Sequence, residues 1–259
     1  MSVLKSLCLA CSMYSRIPVP KVAWEEKNMR YVLCFFPWIG IVTGGGMYGL
    51  WRLRSLLSVF IPFPVFVLTG TVLPVLISGG IHMDGFLDTM DALHSCRSRE
   101  KKLEIMKDPH TGAFACISLV CEMALYGAAL YLLLDDRQVL FLGIGFFLSR
   151  ALSAFALITM KNARGEGMAY TFSSAADRRI VLGVLSLWIF LAALASCFLY
   201  GICGTGCVAV SLLVFFYYES MADRQFGGLT GDLAGWFVIV YELVFAWLTG
   251  SMGYLCNWL

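Results

Sequence analysis

Ile180-Val181-Leu182-Gly183-Val184-Leu185-Ser186-Leu187-Trp188-Ile189-Phe190-Leu191-Ala192-Ala193-Leu194-Ala195-Ser196-Cys197-Phe198-Leu199-Tyr200 runs on through Gly201-Ile202-Cys203-Gly204-Thr205-Gly206-Cys207-Val208-Ala209-Val210-Ser211-Leu212-Leu213-Val214-Phe215-Phe216-Tyr217-Tyr218 without one charged residue. About 20 apolar residues cross a bilayer as a helix, so this run is too long for one span and too apolar for a soluble core. It reads as two spans, 180–203 and a short 207–218, divided at Gly204-Thr205-Gly206.

The same reading extends outward to spans at 33–51, 56–78, 112–134, 139–160 and 234–256. Hydrophobic residues make up 59% of the chain and charged residues 14%, against a usual ~25%. The fold class is therefore all-α and polytopic, with about seven transmembrane helices. Residues 1–259 form a single integral-membrane catalytic domain, with no room for a separate soluble one. The first thirteen residues are too weakly patterned for a secretory signal and read as an amphipathic helix at the interface. Gly40/Gly44 and Gly45/Gly49 offer small-residue faces for close helix packing. Of ten cysteines, Cys116, Cys121, Cys197, Cys203, Cys207 and Cys256 lie in apolar segments without zinc-type spacing, and read as packing residues.

Seven spans alternate the loops. Lys5, Arg16, Lys21, Lys27, Arg30, Arg97, Arg99, Lys101, Lys102, Lys107, Lys161, Arg164, Arg178, Arg179 and Arg224 then share one side, against Arg52, Arg54 and Arg137 on the other. The positive-inside rule places the first side, with the N-terminus, in the cytoplasm. The loops 79–111, 161–179 and 219–233 thus face the same compartment and can meet.

The first of these loops carries the chemistry. In Gly79-Gly80-Ile81-His82-Met83-Asp84-Gly85-Phe86-Leu87-Asp88-Thr89-Met90-Asp91-Ala92, the three aspartates fall within roughly 60° of a helix circumference at about 100° per residue. Carboxylates so close repel one another, and a divalent cation relieves them; Mg²⁺ holding a diphosphate suits such a face. His82 points about 160° from Asp84 if the helix already includes it. It is either merely hydrogen-bonded or, if Gly79-Gly80 bends the chain, a general base. Beyond lie Arg97-Ser98-Arg99-Glu100-Lys101-Lys102 and Lys107-Asp108-Pro109, where Pro109 ends a short helix and Glu104, Lys107 and Asp108 share a face. Acidic ligands beside basic clamps resemble a phosphoryl-transfer site, with a contact to anionic lipid the lesser reading of the basic run alone. Arg150 lies roughly 15 Å deep in its span and is either paired with Glu122 or Glu242, snorkelled, or turned to phosphate. Gly227-Gly228-Leu229-Thr230-Gly231-Asp232 is a turn that lets backbone approach an anion, with Asp232 near it.

Ser15-Arg16-Ile17-Pro18-Val19-Pro20, the segment Gly79–Asp91, Leu103-Glu104-Ile105-Met106-Lys107-Asp108, Arg164-Gly165-Glu166-Gly167 and Gly227–Asp232 together, in this order, resemble the cobalamin synthase (adenosylcobinamide-GDP ribazoletransferase) family. The resemblance implies a Mg²⁺-dependent, multi-pass enzyme of the cell inner membrane. It would join adenosylcobinamide-GDP to α-ribazole or its 5′-phosphate and release GMP, the nucleotide-loop step of vitamin B12 biosynthesis. One departure stands out: Ala92 occupies a position where the family usually has glycine, which tightens an expected turn around Asp91. On this reading Asp84, Asp88 and Asp91 hold Mg²⁺, and Asp108 is a fourth ligand or the base, with His82 the other catalytic candidate. Arg16, Arg99, Lys107, Arg150, Arg164 and Asp232 are the substrate-binding candidates. The expected partners are the corrinoid nucleotide, α-ribazole and the lipid bilayer, with a homo-oligomer or an association with other cobalamin enzymes, and no nucleic acid. Two rivals share some features: a membrane phosphotransferase using a CDP-activated alcohol donor, and a secondary transporter. The transporter reading requires acidic residues at mid-membrane in broken helices within repeated halves, whereas this acidic cluster borders the cytoplasm and no repeat is evident.

Overall fold

The computed structural model describes residues 2–255, and among these it is helical with no strand. The helices are α1 (Ser2–Tyr14), α2 (Glu26–Met29), α3 (Val32–Leu56), α4 (Phe63–Ser78), α5 (Ile81–His94), α6 (Arg99–Ile105), α7 (Ala113–Tyr131), α8 (Asp136–Thr159), α9 (Met168–Ala175), α10 (Arg178–Phe226) and α11 (Gly231–Leu255). Five of them, α3, α7, α8, α10 and α11, are each long and apolar enough to cross a membrane, and α4 with α5 qualifies as a pair bent by 97°. Because α10 is two helices run together, the count approaches the seven spans expected. The end of the last expected span, with Cys256, lies outside the described residues.

The break in α10 falls at Tyr200 and Gly201, not at Gly204-Thr205-Gly206. Gly201 adopts φ +55°, a conformation that a β-carbon opposes. Gly204 sits within the resumed helix. The second half then continues to Phe226, so the sixth span is not short. Glu219, Asp223 and Arg224 are polar residues of its end, and the loop expected from 219 shrinks to the turn after Phe226.

α3 and α8 make the most extensive helix contact. A β-carbon on Gly40 would stand 2.3 Å from the Phe146 carbonyl oxygen, and one on Gly44 would stand 2.8 Å from Gly143 Cα. Lipid tails supply no hydrophobic drive between helices, so such backbone approach is what gives this pair its contact area. Gly45 and Gly49 face open space and have no such role. α1 packs one face on the rest of the protein: Ser6, Leu9, Ala10 and Tyr14 are buried, and Ser6 Oγ donates to the Asn28 carbonyl at 2.7 Å. Cys207 is buried as expected, but Cys116, Cys121 and Cys197 are exposed.

Candidate functional site

α4 ends at Gly79 and Gly80, which adopt φ +69° and +87° and turn the chain by 97° into α5. α5 thereby leaves the α4 span and lies across it, against α7 and α11. At that contact Gly85 meets Asp232: a β-carbon there would lie 2.6 Å from the Asp232 carbonyl oxygen. The bare helix surface lets the aspartate face of α5 reach the first turn of α11.

The other loops arrive by hydrogen bonds. Leu229 N donates to the Lys161 carbonyl and Ala163 N to the Leu229 carbonyl, each at 2.8 Å, which ties the loop after α8 to the turn before α11. Arg164 Nη1 reaches Asp232 Oδ2 at 2.9 Å and Nη2 reaches the Leu103 carbonyl at 3.3 Å. Lys107 pairs with Glu166 at 2.5 Å. The three polar segments that the sequence placed on one side therefore meet, with Arg164 between them.

Asp88 is half-buried, and its carboxyl is pushed up to about 7, first by burial and then by the neighbouring Asp84 and Asp232 carboxylates, with Arg164 opposing them and Asp91 adding a little. Asp84, Asp88 and Asp232 thus crowd one negative region that a single guanidinium does not neutralise. Among the described residues no three His, Cys, Asp or Glu side chains converge as a ready-made metal cage.

Asp91 behaves differently. Its Oδ2 accepts from Gly112 N at 2.6 Å and its Oδ1 from Ala115 N at 2.8 Å, so both oxygens hold the start of α7. The carboxylate shares a helix face with Asp84 and Asp88 but does the work of an N-cap delivered from another helix. Ala92 is buried within α5, so no turn surrounds Asp91 for its methyl to tighten.

A cavity of about 350 Å³ opens beside this region. His82, Asp84, Arg164 and Asp232 line it together with Tyr14 and Phe36. His82 and Asp84 point apart about the helix axis, yet both border the cavity because it lies against the first turn of α5. His82 is buried, with Nε2 unpartnered, and burial followed by the Arg150 charge holds the imidazole well below its ordinary pKa, hence neutral.

The remaining candidates are dispersed. Asp108 is exposed and accepts from His110 N at 3.0 Å and approaches its Nδ1 at 2.7 Å; that bonding lowers its pKa, and it does not border the cavity. α6 already ends at Ile105, and Glu104 pairs with Lys101 at 2.6 Å, so the shared face of Glu104, Lys107 and Asp108 does not form. Arg99 Nε donates to the Arg224 carbonyl at 2.9 Å, and the buried Lys102 reaches Gln225 Oε1 at 2.6 Å; both dock α6 on the end of α10. Arg16 N donates to the Ile77 carbonyl at 2.8 Å, and its side chain packs over Gly79 in an adjoining groove. Arg150 is 1% exposed and pairs with Glu242, with Phe146 O at 2.8 Å and Ser149 Oγ at 3.1 Å. It is a structural ion pair between α8 and α11, not a phosphate clamp.

Apolar helices whose polar loops close on one acid-lined cavity define a polytopic membrane protein. The chain belongs to the CobS family: the model described as cobalamin-5-phosphate synthase matches residues 6–250. It is thus an enzyme of cobalamin biosynthesis. It is similar to the adenosylcobinamide-GDP ribazoletransferase of Lachnoclostridium phytofermentans, 42% identical over 94% of this chain and 92% of that one. Proteins of the same name from Geobacillus kaustophilus and Clostridium perfringens strain 13 are 32% identical, over 88% of each chain, and 28% identical, over 95% of this chain and 97% of that one. No solved structure matches the chain.

Proposed function

We propose that this enzyme joins adenosylcobinamide-GDP to α-ribazole or its 5′-phosphate and releases GMP, using Mg²⁺, at a site facing the cytoplasm. The observation that carries the reading is the meeting of Asp84 and Asp232 with Arg164 at the mouth of one cavity, with Asp88 within reach of all three charges, in a chain of this family. The transporter alternative is the weaker one, because the acidic cluster gathers at loop ends and the buried Glu242 is held by Arg150.

The carboxylates suit Mg²⁺. The ion is a hard cation that keeps several waters and takes one or two carboxylates plus substrate phosphates, so a three-ligand cage is not required. Burial first, and then the Asp84 and Asp232 charges, raise the Asp88 carboxyl, and a bound cation would offset both. Asp84 and Asp88 would hold it, with Asp232 beside them; Asp91 is committed to α7. When bound, the ion neutralises diphosphate charge on the leaving GMP side.

The chain's own groups do the rest. Arg164, fixed by Asp232 and the Leu103 carbonyl, presents a guanidinium to the phosphoryl group that stays with the corrinoid. Lys107, on the neighbouring loop, adds a second positive charge once it exchanges Glu166 for phosphate. The acceptor hydroxyl attacks the cobinamide-side phosphorus, a phosphorus–oxygen bond forms, the anhydride bond to GMP breaks, and the hydroxyl proton is released to water at the cavity mouth. Neutral His82 accepts a hydrogen bond from the acceptor at the cavity wall. Membranes carrying the enzyme should release GMP from adenosylcobinamide-GDP only when α-ribazole or its phosphate is added; release of GMP without any acceptor, or none with it, contradicts the reading.

A further inference from the structure

The cavity beside Asp84 changes chemistry from its mouth inward. Its mouth carries Asp84, Arg164 and Asp232. Its inner wall is built from three rings on three helices: Tyr14 of α1, Phe36 of α3 and His82 of α5, with centroids 4.2 Å apart for Tyr14–Phe36, 5.5 Å for Phe36–His82 and 6.3 Å for Tyr14–His82. Such a wall suits the face or edge of a flat aromatic ligand. His82 is 5% exposed with Nε2 unpartnered, and a buried polar atom without a partner is unfavourable until a ligand supplies one.

Size separates the two substrates. About 350 Å³ is near the small end of the ~300–1,000 Å³ range of ligand pockets and cannot enclose a corrin macrocycle carrying a nucleotide. We propose that this cavity is the acceptor site, taking a flat, uncharged aromatic nucleoside with its ring against Tyr14, Phe36 and His82 and its ribose toward Asp84 and Asp232. The donor then stays outside, its diphosphate meeting the ribose hydroxyl at the mouth. This assignment rests on the transferase reading.

Steady-state kinetics on membrane-inserted protein test it through two variants. Phe36→Leu removes one wall ring, and Met168→Trp narrows the rim at a residue that is 51% exposed. Each should raise the KM for α-ribazole by about tenfold while that for adenosylcobinamide-GDP moves less than about twofold. Equal changes for both substrates, or a change for the donor alone, overturn the assignment. A second readout does not depend on Phe36→Leu folding or on turnover. In a background lacking the other accessible cysteines, Met168→Cys should react with maleimide several-fold more slowly in the presence of α-ribazole, and an unchanged rate overturns the site. An enzyme that protects Met168→Cys yet releases no GMP would refute the transferase reading and leave the nucleoside site standing.

Discussion

Asp91→Asn separates a ligand from a cap. Asp91 accepts two backbone N–H bonds from the start of α7, at 2.6 and 2.8 Å. Asparagine keeps one acceptor oxygen and turns the other into an amide NH₂ facing an N–H donor. The loss is one charge-assisted bond, about 1.5–3 kcal/mol, together with the favourable carboxylate at a helix N-terminus, about 0.3–1 kcal/mol. A total of about 2–4 kcal/mol is a large fraction of the stability of an ordinary domain. The variant should therefore accumulate poorly in membranes and unfold early in detergent, while the fraction that remains folded keeps turnover within a few-fold of wild type. The assay is specific activity normalised to folded protein, beside a thermal melt in the same detergent. A variant that melts like wild type and has no turnover would refute the cap and return Asp91 to the metal site.

Other outcomes follow from the same geometry. Asp84→Asn and Asp88→Asn should abolish turnover at limiting Mg²⁺ with insertion nearly intact; near-normal rates would remove them from the metal site. Arg150→Met leaves Glu242 unpaired inside the membrane and should cost about 3–5 kcal/mol, seen as lost folded protein, while Arg150→Met with Glu242→Leu should recover most of it. Loss of turnover in a well-folded double variant would assign Arg150 a direct part in the reaction. Cys96, exposed after α5, should react with an impermeant thiol reagent only when the cytoplasmic face is opened, in a background lacking other accessible cysteines; labelling of intact spheroplasts would reverse the orientation.

The membrane class and the meeting of the loops were legible because each is a pattern along the chain: apolar length for the first, the placement of positive charge for the second. What escaped depends on partners distant in sequence. Asp91 sits on the aspartate face by spacing, but Gly112 and Ala115, 21 and 24 residues away, decide its role. Arg150 had Glu122 and Glu242 as equally credible partners by sequence, and only the docking of α11 on α8 selects Glu242. Gly201 and Gly204 look alike in an apolar run, although one supplies the break and the other continues the helix. Tyr14 and Phe36 carry no signal in the sequence that singles them out. Nothing in their spacing shows that α1, α3 and α5 bring them to one cavity with His82.

Donor carrying distinguishable phosphorus labels in its two phosphates tests the central claim most directly. With α-ribazole present, the cobinamide-side label should appear in the cobalamin product and the guanosine-side label in GMP, since attack on the phosphorus nearer the corrinoid expels GMP. The cobinamide-side label in free cobinamide phosphate, with the guanosine-side label joined to ribazole, would contradict the account.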